Sequence, residues 1–164
     1  MFRPMRRKNK EISREAAEQL LLRSRRGVLA VNGDDGYPYA VPINYFYDAD
    51  SRKIYFHGAR AGHKYESIRA CGKVCFTVYG DETVREDEWA PFLQSVVVFG
   101  ICRPIEDETA CTACPAGIAL LKKLAMKYYP SEQLVDDEIR RAGKAAQVFE
   151  IEIEHMSGKE VQER

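Results

Sequence analysis

The fold is decided by one stretch of the sequence, Ile54-Tyr55-Phe56-His57-Gly58-Ala59-Arg60-Ala61-Gly62-His63-Lys64. Its first residues are β-branched or aromatic, which a half-buried strand prefers. Gly58 and Gly62 then bracket a short loop, and from Tyr65 the apolar spacing is helical. A glycine-containing turn that opens a helix presents backbone N–H groups to an anion, and Lys64 adds a positive charge. The stretch therefore predicts a phosphate-binding site.

This stretch matches neither of the common nucleotide-binding motifs. It lacks the G-x-x-x-x-G-K-[ST] spacing of a P-loop and the G-x-G-x-x-G of a dinucleotide-binding fold. An ordinary strand–loop–helix connection that carries a surface histidine and lysine is therefore the alternative interpretation.

Length and composition predict a single globular domain. The 164 residues are 45% hydrophobic and 30% charged, and 25 basic residues balance 25 acidic ones. We expect one domain over residues 1–164, in which residues 1–10 form a basic N-terminal arm. Because the overall charge is balanced, we interpret the arm as solvated and expect no nucleic-acid partner.

The sequence also predicts a cytoplasmic protein with no membrane partner. No stretch is apolar over the length of a membrane span, and the basic N-terminus lacks the apolar core of a secretory signal. Five irregularly spaced cysteines do not form a disulfide framework. Cys111 and Cys114 have C-x-x-C spacing, but neither a βαβ context nor a second cysteine pair accompanies them. Incidental reduced thiols are favoured over a redox or zinc motif, and no metal site is predicted.

The rest of the chain predicts short strands joined by turns. Ser13 caps a first helix that reaches about Arg25, and Pro38 and Pro42 mark an edge, bend or bulge. Strands are predicted at 27–31, 37–47, 53–57, 73–79, 95–101 and 148–154, and further helices at 63–71, 115–128 and 131–141. Because tight turns join successive strands, the pattern predicts a mainly β, antiparallel barrel.

Five segments carry a resemblance to a known family. They are Gly33-Asp34-Asp35-Gly36-Tyr37-Pro38-Tyr39-Ala40-Val41-Pro42-Ile43-Asn44-Tyr45, Ile54-Tyr55-Phe56-His57-Gly58-Ala59, Gly62-His63-Lys64, Ser95-Val96-Val97-Val98-Phe99-Gly100 and Ile153-Glu154-His155-Met156-Ser157-Gly158-Lys159. In this order they resemble the pyridoxamine 5′-phosphate oxidase-like FMN-binding split-barrel superfamily. Within it they are most similar to the nitroimidazole-reductase-like branch, where a Thr/Ser-Gly-Lys turn follows the final strand.

The resemblance implies a six-stranded antiparallel Greek-key split β-barrel with flanking helices, which forms a homodimer with FMN at the subunit interface. It also implies the residues that hold FMN. The isoalloxazine would lie beside Pro42, Ile43, Asn44 and Tyr45. The ribityl and phosphate side of FMN would be lined by His57, Gly58 and Ala59, and the phosphate itself would be bound by Gly62, His63 and Lys64. The flavin of the partner subunit would contact Ser95 and Val96.

Several of these residues have a structural alternative. Asn44 could be a polar strand end, and His57 could be a partly buried histidine rather than the catalytic residue that the resemblance implies. Tyr37, Tyr39, Tyr45 and Tyr47 share one strand face and are expected to be a core or interface stripe.

The function implied by the resemblance is that of an NAD(P)H-dependent reductase of small aromatic or nitro-type acceptors. His57-Gly58 stands where the oxidase proper has a basic set, which argues against pyridoxamine phosphate as the substrate. The alternative is a non-catalytic dimer that binds flavin, haem or a deazaflavin as a carrier or sensor. A weaker alternative is nucleic-acid binding through the N-terminal arm.

Overall fold

A computed structural model describes residues 1–105 and 115–162, so Cys111 and Cys114 lie outside the described residues. The α-helices are α1 (Arg14–Arg23), α2 (His63–Ala70), α3 (Pro115–Met126) and α4 (Glu132–Ala142). The strands are β1 (Arg26–Asn32), β2 (Pro38–Asn44), β3 (Phe46–Asp48), β4 (Lys53–Gly58), β5 (Lys73–Tyr79), β6 (Phe92–Pro104) and β7 (Gln147–Gln162). Each predicted helix is present. The predicted strands are also present, with bounds shifted by a few residues or, for β6 and β7, extended, except that the predicted strand 37–47 is divided in two.

The strands form one antiparallel sheet in the order β2-β1-β5-β6-β7-β4-β3. Its two edge strands, β2 and β3, are consecutive in the chain and are separated only by Tyr45. The sheet must therefore curl until its edges meet, which produces the predicted split barrel. Pro38 and Pro42 lie in an edge strand, where a residue without an N–H group is tolerated.

The predicted count of six strands is wrong, because the described part of the chain has seven. The difference arises within the predicted strand 37–47, which is divided at Tyr45 into β2 and β3. β2 pairs with β1, whereas β3 pairs with β4 at the opposite edge of the sheet. Periodicity along one segment cannot reveal that the segment changes its pairing partner half-way.

Alternating residues of the strands fill the barrel interior. In β5, Val74, Phe76 and Val78 are buried while the residues between them are half-exposed. The tyrosine stripe is largely confirmed as core, because Tyr45 and Tyr47 are buried and Tyr39 packs against the core, but Tyr37 is exposed. Helix α1 packs against β6 and β7 and adds Leu20 and Leu21 to the core. The predicted cap is confirmed: Ser13 Oγ accepts a hydrogen bond from the backbone N–H of Ala16.

The last strand is longer than predicted. Ser157, Gly158 and Lys159 were expected to form a turn, but they continue β7 and pair with β6. Gly158 faces α1, and a Cβ there would lie 2.5 Å from Ile12 Cγ1. Close packing against Ile12 therefore explains the glycine at position 158. The sequence motif alone does not show whether a glycine is needed for close packing or for a turn. Among the described residues, no helix combines the length and the apolar character needed to cross a membrane.

Candidate functional site

An open pocket of about 370 Å³ lies where the edge strand β2 approaches β4 and the start of α2. We call it the strand-edge pocket. It is lined by Arg26, Pro42, Ile43, Asn44, His57 and Lys64. Five of these six residues were predicted as a group from the sequence, although they come from three separate elements. The structure therefore brings these five predicted residues together in one pocket.

Lys64 is the half-buried cation of the strand-edge pocket. Its ammonium Nζ lies 5.3 Å from the centroid of the Phe56 ring, and no carboxylate pairs with it among the described residues. Gly58 makes room for this group, because a Cβ at position 58 would lie 3.1 Å from Nζ. Burial lowers the pKa of Lys64 below its ordinary value. A half-buried ammonium without a counter-ion is favourable only where an anion or water approaches it.

Arg26 is the residue of the pocket that sequence reasoning missed. It lies directly opposite Asn44 in the β1–β2 hairpin. Its guanidinium makes no hydrogen bond or salt bridge within the described part of the chain. The register of the hairpin was the available signal, since the Gly33–Gly36 turn places residues 26 and 44 across from one another. Arg26 and Lys64 together give the pocket two positive charges, and no carboxylate is among the described residues that line it.

His57 and Asn44 provide the uncharged polar groups of the pocket. Asn44 is the last residue of β2 and is exposed, so its amide can both donate and accept hydrogen bonds. His57 still reaches solvent, but crowding by neighbouring atoms, and secondarily the charge of Lys64, lowers the pKa of His57. At neutral pH the imidazole is therefore uncharged, with one nitrogen as donor and the other as acceptor.

The start of α2 only partly follows the prediction of an anion cradle. Gly62 has φ of +95°, a conformation that favours glycine, and the helix follows it directly. The backbone N–H of Gly62, however, donates a hydrogen bond to Oε1 of Glu66 at 3.3 Å. His63 turns away from the pocket: its ring stacks on Tyr39 at 4.1 Å, and Nε2 lies 3.5 Å from Oδ2 of Asp34. Lys64 therefore remains the cationic group that α2 offers to the pocket.

Four other predicted residues, Tyr45, Ala59, Ser95 and Val96, lie outside the strand-edge pocket. Tyr45 is buried in the core, where its hydroxyl donates to the carbonyl of Leu21 at 2.6 Å. Val96 is also a core residue, and Ser95 lies opposite Tyr79 on the outer face of the sheet. Ala59 is exposed in the loop after β4. Ser95 and Val96 were predicted to act across a dimer interface, so their role stays a prediction.

The chain matches a protein-family model described as pyridoxamine 5′-phosphate oxidase over residues 13–160. It belongs to the pyridoxamine 5′-phosphate oxidase family. This confirms the family to which the five segments pointed. All six residues of the strand-edge pocket lie within the part of the chain that the family model matches. Among curated proteins, none matches the chain significantly.

Several solved structures share this fold. An FAD-binding protein from Mesorhizobium loti is 25% identical, with a TM-score of 0.66 over 93% of this chain and 97% of that one. A candidate 5-nitroimidazole antibiotic resistance protein from Bacteroides thetaiotaomicron is 20% identical, with a TM-score of 0.72 over 93% and 87%. An FAD and heme binding protein from Mycobacterium smegmatis is 20% identical, with a TM-score of 0.66 over 94% and 74%. At these identities the likeness describes the fold that the pyridoxamine 5′-phosphate oxidase family shares.

Proposed function

We propose that this chain is an FMN-binding oxidoreductase that holds the cofactor in the strand-edge pocket. The observation that carries the proposal is the pair of cations, Lys64 and Arg26, neither of which has a carboxylate partner among the described residues. A phosphate group carries close to two negative charges at neutral pH and would neutralise both. The flavin-binding neighbours and the family support a flavin as the molecule that carries this phosphate.

The residues of the pocket fit the parts of FMN. Lys64 and Arg26 would hold the phosphate, and the ribityl chain would run beside Gly58, whose missing side chain leaves room for the Lys64 ammonium. Asn44 would donate and accept hydrogen bonds at the edge of the isoalloxazine, beside Pro42 and the main chain of Ile43. We leave Tyr45 out of this set, because its side chain is buried and its backbone is already hydrogen bonded.

The outer face of the sheet supports a homodimer with the flavin at the interface. Paired strands place Pro42, Val28 and Thr77 side by side, and Val97 continues the same row. The next row consists of Ala40, Ala30, Cys75 and Phe99. These small or apolar side chains form a continuous half-exposed face that begins at the pocket residue Pro42. A second copy of the chain would cover this face and close the pocket, with Ser95 and the main chain of Val96 near the partner's flavin.

A bound flavin supplies two-electron transfer chemistry, and the protein supplies binding, orientation and proton control. We propose that NAD(P)H is the electron donor and that the acceptor is a small aromatic or nitro-type molecule. His57 is suited to hold a proton at a ring nitrogen beside that acceptor, because its lowered pKa keeps the imidazole neutral at pH 7. The described cysteines are free thiols, which agrees with a cytoplasmic location.

The proposal is tested with the visible absorption spectrum of the purified protein and chromatography of the flavin released on denaturation. We expect FMN, and tighter binding of added FMN than of riboflavin. Release of FAD instead would identify FAD as the cofactor, as in the names of the FAD-binding structural neighbours. A colourless protein that binds neither flavin would overturn the proposal. Steady NAD(P)H consumption with a nitroaromatic acceptor supports the reductase, whereas tight FMN binding without turnover favours a carrier or sensor.

A further inference from the structure

A second pocket adjoins the strand-edge pocket on the side of the C-terminal helices. It has a volume of about 150 Å³ and lies between α3, α4 and the edge of the barrel. We call it the helix pocket. Its apolar lining consists of Leu121, Leu124, Ala125, Ile139, Ala142 and Ala146. Asn44 and His57 line both pockets, so molecules bound in the two would meet at these side chains.

The described residues offer no free charge to an occupant of the helix pocket. Neither lysine nor arginine is among the described residues that line it. Its carboxylate, Glu138, accepts hydrogen bonds from Arg141 Nε at 3.0 Å and Nη2 at 2.7 Å, so its charge already has a partner. An ion entering such a site would lose its hydration without gaining a counter-ion, which is strongly unfavourable. The pocket therefore selects against phosphorylated or carboxylated molecules.

The polar groups near the helix pocket are also largely engaged. The Tyr128 hydroxyl is hydrogen bonded to the backbone of Tyr45 and of Arg25. This leaves the hydroxyl of Tyr129, the amide of Asn44 and the ring of His57 as polar contacts, and the last two lie at the boundary with the strand-edge pocket. An occupant would place a polar substituent at that boundary and its apolar part between the helices.

The volume of the helix pocket matches an occupant of one ring. Apolar cavities of about 150 Å³ stay dry and bind molecules of the size of benzene. The helix pocket has this volume and its aliphatic residues form a similar wall, but it is open to solvent on one side, where polar side chains join the lining. A two-ring system would exceed this volume and would leave its second ring in the solvent-facing opening.

We propose that the helix pocket binds an uncharged, single-ring aromatic molecule, and that this molecule is the electron acceptor. Asn44 and His57 would orient its polar substituent toward the flavin. The role as acceptor rests on the proposed function, whereas binding of the ring rests only on the pocket. The experiment below separates the two.

The test uses the full chain without flavin and three probes: toluene, naphthalene and benzoate. Binding is followed by NMR chemical shifts of the His57 ring and the Asn44 side-chain amide. We expect toluene to bind about tenfold more tightly than naphthalene, which is larger, or benzoate, which is charged.

Ala142 is an exposed residue at the end of α4, and Ala142→Phe should fill the pocket and weaken toluene binding by about tenfold. Ala70→Phe, at an exposed position of α2 outside the pocket, is the matched control, and Ala142→Leu replaces Ala142→Phe if that variant does not fold.

The outcomes distinguish failure of the inference from failure of the proposed function. Equal binding of toluene and benzoate, or toluene binding that Ala142→Phe and Ala142→Leu leave unchanged, would overturn the helix pocket as the binding site. FMN binding is measured on the same samples. If FMN binds and toluene does not, the inference falls and the proposed function stands. If toluene binds and FMN does not, the acceptor role falls together with the proposed function.

Discussion

The hydroxyl of Tyr128 lies 2.7 Å from both the backbone nitrogen and the backbone oxygen of Tyr45. Tyr45 is the residue at which the chain leaves β2 for β3, so its backbone has no ladder partner at either edge. The same hydroxyl also contacts the carbonyl of Arg25. It accepts the N–H of Tyr45 and donates its one proton to a carbonyl, and burial raises the pKa of Tyr128, which keeps that proton in place. A side chain just after α3 thus satisfies the backbone at the split of the barrel.

Tyr128→Phe should therefore reduce the free energy of unfolding by about 1–3 kcal/mol, because it leaves a buried backbone N–H and a carbonyl without a partner. Urea unfolding measures the change. Tyr129→Phe, at a neighbouring side chain that is 49% exposed, serves as the control and should have little effect. Equal stability of the two variants would show that water replaces the hydroxyl.

Much of the fold could be predicted because it depends on local patterns. The alternation in β5 and the Ser13 cap are readable from spacing alone, and both are present. The change of partner at Tyr45 could not be predicted, because it depends on which strands reach the two edges of the sheet. The long extension of β7 was missed for a related reason: its pairing with β6, not its own alternation, keeps residues 155–162 extended.

The site shows the same division. Pro42, Asn44, His57 and Lys64 could be predicted as a group from motifs that also carry the family resemblance. Arg26 required the hairpin register, and the helix pocket required the packing of α3 and α4 against the barrel edge. The side-chain directions of His63 and Tyr45 were not accessible either, because tertiary packing against Tyr39 and Leu21 determines them.

Lys64→Met should weaken FMN binding by roughly 10- to 100-fold, because a hydrogen bond to a charged group contributes about 1.5–3 kcal/mol. Riboflavin lacks the phosphate, so its affinity should change little. Fluorescence titration of both flavins measures the difference, and Lys73→Met, at an exposed lysine outside the pocket, is the control. An equal loss for FMN and riboflavin would assign Lys64 to folding or to the ring system instead of the phosphate.

The pKa of His57 should report the occupancy of the strand-edge pocket. Crowding by neighbouring atoms, and secondarily the charge of Lys64, lowers the pKa of His57 below the ordinary value of 6.5, so the folded protein disfavours protonation. Folding stability should therefore decline as the pH falls below that ordinary value, where the unfolded chain binds the extra proton. Inorganic phosphate beside Lys64 should raise the pKa of His57, and Lys64→Met should abolish that response. NMR titration of the His57 ring measures both effects, and a pKa that phosphate leaves unchanged would separate His57 from the anion site.

Ala30→Glu should convert the proposed dimer to a monomer. Ala30 lies between Ala40 and Cys75 on the outer face, so a carboxylate there would be buried against a second copy without a partner. Sedimentation velocity measures the mass, and FMN affinity should fall with it if the partner closes the pocket. Ala49→Glu, at an exposed turn position, is the control. A monomeric parent protein, or a variant that remains dimeric, would contradict the interface.

Lys127→Met should raise the free energy of unfolding at pH 7 by about 1 kcal/mol, because it removes a buried charge at the loss of a weak ring contact. Lys127 Nζ is buried 4.1 Å from the centroid of the Tyr45 ring, with no hydrogen-bond partner among the described residues. Burial, and secondarily the charge of Arg25, lowers the pKa of Lys127 to about 8.

Between pH 8 and the ordinary value of 10.5 the unfolded chain binds more protons, so the stability of the parent protein should rise with pH over this window. The advantage of Lys127→Met should shrink over the same window, whereas Lys123→Met, at an exposed lysine of α3, should show neither effect. Urea unfolding at pH 7 and near pH 10 measures this difference, and a Lys127→Met protein that is less stable at pH 7 would show that the contact with Tyr45 outweighs the cost of burying the ammonium.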